Sequence, residues 1–503
     1  MPAALALAPI GLLLALLLGA RWSAGAAGAA AAAFAAIVAV WGFGYGGDGI
    51  ASALGGPFVE ALFQSATILW IIFPALCIHE YQTASGATAV FGRALSRLSD
   101  DPRITALLIA WFFALFMEGA AGFGTPIALA APLLVALGFT PGAALVLAIV
   151  GNAAAVPFGA IGTPMMPLIA ETGLDPVALS VAVALLNASV GWMMAVMLVR
   201  IASADRPTSG GSAIAWAATA AALFFVPSAL LAWTTGPELP SLGGALAGAL
   251  AFVMLIRWRA RSNGIASGEP SSPPSKELFR AALPYLIIMA LILATRLIGP
   301  LAAELRGVEI GWALPGGFGG RVAPLHHPGT MLFVAFLVAG LATRGSRRLL
   351  PVAAGSALRR LPVVAVALVA VLTLARLMVH SGMIDLLATA TAATFGGSWP
   401  LVAPLLGALG AFVTGSGTAS NILFGSFQAS AAELAGVSPL LVVAAQAVGA
   451  AAGNLIAPHN IVAGAATIGL VGREGEILRR TLPPALLYAG AAGLVAFAVS
   501  LID

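Results

Sequence analysis

The residue types able to do chemistry in this chain of 503 residues sit together at breaks in apolar sequence. Glu118-Gly-Ala-Ala-Gly122-Phe-Gly124-Thr125-Pro126 sets a carboxylate, three glycines, a hydroxyl and a proline directly after the run Trp111-Phe-Phe-Ala-Leu-Phe-Met117. Gly151-Asn152 and Pro157-Phe-Gly-Ala-Ile-Gly162-Thr163-Pro164 follow. Thr414-Gly-Ser416-Gly-Thr418-Ala-Ser420-Asn421, Gly453-Asn454 and Pro458-His459-Asn460 come much later. Glycine lets a ligand approach the backbone closely, and a half-helix N-terminus offers unpaired N–H donors and the positive end of a dipole to a carboxylate. Gly122, Gly124, Thr125, Asn152, Thr163, Thr414, Ser416, Thr418, Ser420, Asn421, Asn454 and Asn460 are therefore expected to bind a substrate anion. No dense cluster of Arg or Lys accompanies them, so a small monovalent organic anion fits better than a phosphate or a polyanion. Close helix packing explains single small residues, but not runs of glycine, hydroxyl and proline together.

Three titratable residues stand out, two of them at these breaks. Glu118 is the carboxylate at the breaks themselves, whereas Glu433 precedes Gly436-Val-Ser-Pro439, where a connecting loop is expected. An isolated buried charge is costly, so such a carboxyl is held protonated or paired, and a group that switches between those states can couple a proton. A structural hydrogen bond from a permanently neutral Glu118 is the alternative. His459 divides evenly between proton or ligand contact and a satisfied buried hydrogen bond. Arg376, inside Val371-Leu-Thr-Leu-Ala-Arg-Leu-Met-Val379, could meet the substrate carboxylate or Glu118, or snorkel to the outer interface. Arg296, near a span end, is expected to snorkel.

The elements that must hold these residues are membrane helices. Hydrophobic residues make up 60% of the chain and charged residues 8%, with a mean hydropathy of +1.03, far below the roughly one-quarter charged residues of a soluble domain. In hydrocarbon, interrupted helix is tolerated only where protein buries it or a cavity solvates it. The net charge of +4 is dispersed in short basic clusters and argues for no nucleic acid. Apolar runs of spanning length fall at 4–20, 24–43, 58–79, 176–199, 213–233, 242–256, 281–298, 328–343, 361–379 and 484–501. Gly44 to Pro57 reads as a glycine-rich connection, and 83–103 as an amphipathic surface helix. The expected fold is an all-α polytopic membrane protein with about 12–14 transmembrane segments.

The order of motifs repeats. Gly138-Phe-Thr-Pro141 is echoed by Gly436-Val-Ser-Pro439, Gly151-Asn152 with Pro157 by Gly453-Asn454 with Pro458, and the Glu118 tip by the Thr414 tip. Residues 1–256, with a broken stretch at 116–167, and 281–503, with a broken stretch at 400–471, thus read as two repeats joined by a cytoplasmic linker, 257–280. If Arg21, Arg93/Arg97/Arg103, Arg200, Arg257–Arg261, Arg344–Arg360 and Arg473–Arg480 are all cytoplasmic, the repeats are inverted. Paired interrupted segments in inverted halves mark a transporter's midplane site.

Other motifs carry little. His79-Glu80 has no second histidine at helical spacing, and Gly122-Phe-Gly124 and Gly415-Ser-Gly417 lack the strand and lysine of a phosphate loop. His326-His327 reads as a solvated pair in a loop. Cys77 alone allows no disulfide framework. Nothing points to an enzyme, a resident cofactor or a metal.

At Glu118-Gly-Ala-Ala-Gly-Phe-Gly-Thr-Pro, Pro157-Phe-Gly-Ala-Ile-Gly162, Gly236-Pro-Glu-Leu-Pro240, Thr414-Gly-Ser-Gly-Thr-Ala-Ser-Asn421 and Gly469-Leu-Val-Gly472 the chain resembles the bacterial L-lactate permease family. The resemblance implies import of L-lactate, D-lactate and glycolate with protons across the cytoplasmic (inner) membrane. It also implies kinship with ion-transporter folds of inverted repeats and re-entrant hairpins, often dimeric and of elevator type. The best-known members carry Asp where Gly417 stands and Lys where Asn454 stands, and Arg376 lies outside their pattern, which leaves sodium as the alternative coupling ion. A dicarboxylate or sulfate carrier of related fold is a second alternative, and a membrane-embedded enzyme a distant third.

Overall fold

The computed structural model describes all residues except 1, 21, 48, 97, 100, 123, 209–212, 263–274, 344, 345 and 503. Among the described residues, 12 helices are long and apolar enough to cross a membrane, and the one sheet is a β-hairpin. The all-α polytopic fold expected from composition is the one observed. The middle of the expected linker and the charges of Arg21, Arg97 and Arg344 fall outside the described residues.

Several elements are longer than hydropathy alone suggests. Ile50–Ala84 is one helix, so the second half of the expected glycine-rich connection is helical. Gly56 in this helix leaves room for the Phe318 ring, which lies where a side chain would be. Leu349–His380 is likewise one helix that carries Arg359 and Arg360 as its own residues, and the last helix runs Glu474–Ser500. The hairpin, β1 Ile310–Leu314 and β2 Phe318–Val322, was not anticipated. Gly316 and Gly317, both at positive φ, turn it.

Burial separates two kinds of helix. Pro102–Ala120 and Pro141–Gly162 are wholly enclosed, whereas the spans Ala213–Thr235 and Lys276–Leu297 are only 33% buried. The enclosed pair carries the breaks of the first half, which is where membrane physics allows them. The Glu118 stretch ends its helix at Ala120, crosses Gly122 (φ 60°) and Gly124 (φ 77°), and restarts as Thr125–Ala136. The next break is more strained. After Pro157, Ala160 (φ 43°) and Ile161 (φ 55°) take left-handed conformations without being glycine. Such residues persist only where the surroundings over-determine them. In the second half, Trp399–Thr414 stops at Gly415 (φ 73°), and Gly417–Leu434 restarts with Ser416 as its cap. Gly138 and Gly436, both at positive φ, make the corresponding turns before Pro141 and Pro439. Glu433 lies at the exposed end of the 417–434 helix rather than in a loop.

The helices sort into two packed bodies. Ala24–Ile37, Ile50–Ala84, Pro328–Ala342 and Leu349–His380 pack on one another. The broken stretches pack with Pro176–Asp205, Pro240–Ser262 and Glu474–Ser500. Within this second body the two halves of the chain are tied by hydrogen bonds. Tyr488 donates its hydroxyl to Asn187 Oδ1, and Asn187 Nδ2 donates to the Ala154 carbonyl at 2.7 Å.

Candidate functional site

The breaks of both halves converge. Asn421, in the first turns of Gly417–Leu434, donates its amide to the Pro164 carbonyl at 2.8 Å. A Cβ at Gly124 would lie 3.0 Å from Asn460 Oδ1, and one at Gly417 would touch Val156. Between them is a cavity of about 350 Å³. Its lining from the first half includes Glu118, Gly122, Gly124, Thr163 and Pro164. From the second it includes Thr414, Ser416, Gly417, Thr418, Asn454 and His459. The opposite wall is aliphatic, formed by Val363, Val364, Ala367, Leu368 and Val371 of the 349–380 helix with Ile72 and Ala24.

Each lining group has a different degree of freedom. Glu118 is 6% exposed. Its Oε2 accepts from Asn152 Nδ2 at 2.9 Å, while Oε1 lies beside Gly159 and Gly122, where a Cβ would stand 2.5 and 3.4 Å away. Asn152 Oδ1 is buried with no hydrogen-bond partner among the described residues. Thr163 donates to the Ala160 carbonyl and Thr414 to the Gly410 carbonyl, so both hydroxyl hydrogens are committed to backbone. Ser416 Oγ accepts from Ala419 N at 3.3 Å. Thr418, the next lining hydroxyl, makes no hydrogen bond among the described residues. With the N–H groups of Gly417 and Thr418 at a helix start, it forms a neutral donor set suited to a carboxylate. Among the described residues, no Arg or Lys lines the cavity.

Other expected site residues sit behind this surface. Asn152 serves Glu118. Thr125, at the start of Thr125–Ala136, bonds back to Gly122. Asn460 donates to Asn454 Oδ1 at 2.8 Å. Ser420 donates to the Gly407 carbonyl and accepts from Gln446, which in turn accepts from Gln428. Arg376 is not at the cavity. It forms an ion pair with Glu171 at 3.1 Å and faces Glu60 at 3.8 Å. Burial makes a carboxylate the better partner for it than water, so it does not snorkel. Arg296 does not snorkel either. It binds Glu238 of Gly236-Pro-Glu-Leu-Pro240 at 2.5 Å, which explains that motif. His326 packs on Arg296 rather than standing in solvent, and burial, then Arg296 and Arg306, push its imidazole down to about 4.

The profile of the L-lactate permease family matches residues 2–307 and 320–502. The chain belongs to the L-lactate permease family. The L-lactate permease of Streptococcus iniae is 33% identical over 398 residues, covering 78% of this chain and 82% of that protein. The glycolate permease GlcA of Escherichia coli K12 is 30% identical over 505 residues, 91% of this chain and 88% of the relative. Among solved structures, that of Neisseria gonorrhoeae MtrF, described within a class of antimetabolite efflux pumps, superposes with a TM-score of 0.50 at 15% identity. It covers 90% of this chain and 85% of that one, a likeness of fold. The chain is accordingly a multi-pass membrane transporter and not an enzyme. Residues 308–319, which include β1, are the internal stretch that the family profile leaves unmatched.

Sequence reasoning missed the aliphatic wall, since Val, Ala and Leu at 363–371 look like any lipid-facing helix. It also missed the partners of Arg376. Trp399 donates its indole N–H to Gln428 Oε1 at 2.8 Å, and this chain through to Gln446 was accessible, because two glutamines inside an apolar stretch need partners.

The freedom of Thr418 gives the first expected result. Thr418→Val keeps the shape and removes the donor, and it weakens apparent substrate affinity by about 1.5–3 kcal/mol, the worth of a hydrogen bond to a charged group. Ser420→Ala and Asn421→Ala instead lower thermal stability, because their bonds hold backbone. Substrate titrations of the three purified variants separate these outcomes, and an unchanged affinity in Thr418→Val moves the anion site elsewhere.

Proposed function

We propose that this chain imports small 2-hydroxymonocarboxylates, namely L-lactate, D-lactate and glycolate, together with protons across the bacterial cytoplasmic membrane, and that Glu118 carries the proton. The observation that carries the reading is the pairing, in one cavity, of a neutral donor set with one buried carboxylate and no fixed cation. A monovalent anion then enters without a compensating Arg or Lys, and a proton on Glu118 keeps the loaded site from adding a second negative charge at membrane depth. Asn152 supports this role. Its Nδ2 already donates to Glu118, and its unpartnered Oδ1 is an acceptor that a protonated Glu118 can satisfy. The names of the relatives support the substrate class.

We read residues 1–256 and 281–503 as inverted repeats. Matching glycine-turned tips at 122–124 and 415, and matching turns at Gly138 and Gly436, support this. The absence of cationic lining weighs against a dicarboxylate or sulfate substrate. The test is uptake of radiolabelled lactate by purified protein in sealed liposomes with an imposed pH gradient. Lactate accumulates when the outside is acid, and replacing sodium by potassium leaves uptake unchanged. Uptake that requires sodium would transfer the coupling role to that ion.

A further inference from the structure

The charges that the cavity does not use are gathered elsewhere, on the seam between the two bodies. Arg376 and His380 lie on the 349–380 helix and Glu60 on Ile50–Ala84, all in the first body. Glu171 ends the helix Met165–Thr172 in the second body. Glu60 is well served. His380 Nε2 lies 2.8 Å from Oε2, the Gly319 N–H of the hairpin donates to Oε1 at 3.1 Å, and Arg376 Nε is at 3.8 Å. The Glu171 side chain is 1% exposed and has Arg376 Nη2 at 3.1 Å and the Ser426 hydroxyl at 3.3 Å. Gln64 lies beside it and Glu60 adds repulsion. The Arg376–Glu171 contact is close but poorly aligned, for Glu171 Oε1, which faces Nη2, completes no hydrogen bond among the described residues. Phe318 covers the cluster, its ring 4.9 Å from that of His380.

We propose that Glu171–Arg376 is a charge latch between the two bodies, closing the cavity on the hairpin side, and that it opens when Glu171 takes up a proton. Arg376 follows Val371, the last cavity-lining residue of its helix, by about 7.5 Å along the axis. The latch therefore stands between the cavity and the hairpin end. When the bodies part, Arg376 stays with Glu60 and His380, which share its body, so it keeps a counter-charge. Glu171 keeps only Ser426 and Gln64, both neutral, and an isolated carboxylate there is costly. A proton from solvent on Glu171 removes that charge and with it the attraction to Arg376. Because arginine does not release its proton, Glu171, Glu60 and His380 are the groups in the cluster that can exchange one. Among them Glu171 is the one across the seam. The latch is independent of which anion is carried and of Glu118.

The test uses full-length protein with Cys77→Ala and a reporter Ala367→Cys on the cavity wall, in vesicles of both orientations. A membrane-impermeant maleimide is applied from the hairpin side at about pH 7 and about pH 5.5, with rates corrected for the thiolate fraction. In the parent the reporter is labelled slowly at the higher pH and faster at the lower. Glu171→Gln makes labelling fast at both, by roughly tenfold at the higher pH, within the usual range of coupling between two sites. The double variant Glu171→Gln/Arg376→Met removes both charges of the latch and leaves Glu60 with His380 Nε2 and the Gly319 N–H. It gives the same result if either single change prevents folding. Labelling of Glu171→Gln as slow as the parent overturns the latch. A pH dependence that persists in Glu171→Gln overturns its assignment to Glu171 and places it on Glu60–His380. Neither readout involves substrate, so failure here leaves the lactate reading untouched, and the converse.

Discussion

Glu118→Gln abolishes concentrative uptake while preserving exchange. In liposomes with an acid exterior, the parent protein should concentrate lactate about tenfold per pH unit, the equivalent of 1.36 kcal/mol for one proton. The variant should settle at the level set by simple equilibration. Glutamine matches the protonated acid in shape and charge, and its amide can donate to the unpartnered Asn152 Oδ1 as a carboxylic acid would. The variant is thus fixed in the loaded-competent state. Preloaded vesicles should still exchange internal for external lactate, because neither half of an exchange cycle needs the empty site to return deprotonated. His459→Gln serves as the comparison. If Glu118→Gln still accumulates lactate on a pH gradient alone, the proton is carried elsewhere and His459 becomes the next candidate.

The second large effect is structural and falls at Gly151. A Cβ there would run into the Ala110 carbonyl, where Pro141–Asn152 crosses the enclosed helix in backbone contact. Gly449 and Gly453 meet the carbonyls of Pro404 and Ala408 in the same way. Overpacking a core costs about 1–3 kcal/mol and more when backbone must move. Here both partners are buried helices that cannot bend away. Gly151→Ala should lower the melting temperature in detergent sharply, and Gly151→Val should yield no monodisperse protein. Gly490→Ala, with no atom within 4 Å of the new carbon, is the control and should melt at or above the parent. Size-exclusion profiles across a heating series would decide it, and equal melting of Gly151→Ala and Gly490→Ala would refute the close crossing.

What could be read from the sequence follows from where its signals are local. The breaks at 118–126, 157–164 and 414–421 declare themselves, since glycine and proline act on their own backbone. Glu118 is visible because a carboxylate in an apolar run has few bland explanations. The partners are not local. Nothing near Arg376 in sequence points to Glu171 or Glu60, so an arginine close to the substrate was a fair expectation and a wrong placement. Ser420 and Asn421 look like Thr418 in composition. They lie further along the same helix, behind the cavity surface, and that depth is set by the packing of Gln446 and Pro164 against them. The hairpin escaped notice because its Gly316-Gly317 turn lies in a stretch too polar to read as a span.

The contrast between the cavity's two walls has a mechanical consequence. Every polar group that lines it belongs to the body containing both broken stretches, and the facing wall of Val363, Val364, Ala367, Leu368 and Val371 offers only methyl groups. If transport slides one body past the other, a ligand held by Thr418 and its neighbours has no hydrogen bond to break. Its grip and its travel are decoupled. Tight holding therefore need not slow translocation, and the resistance to sliding resides in aliphatic contact, which is weakly directional and re-forms at each step.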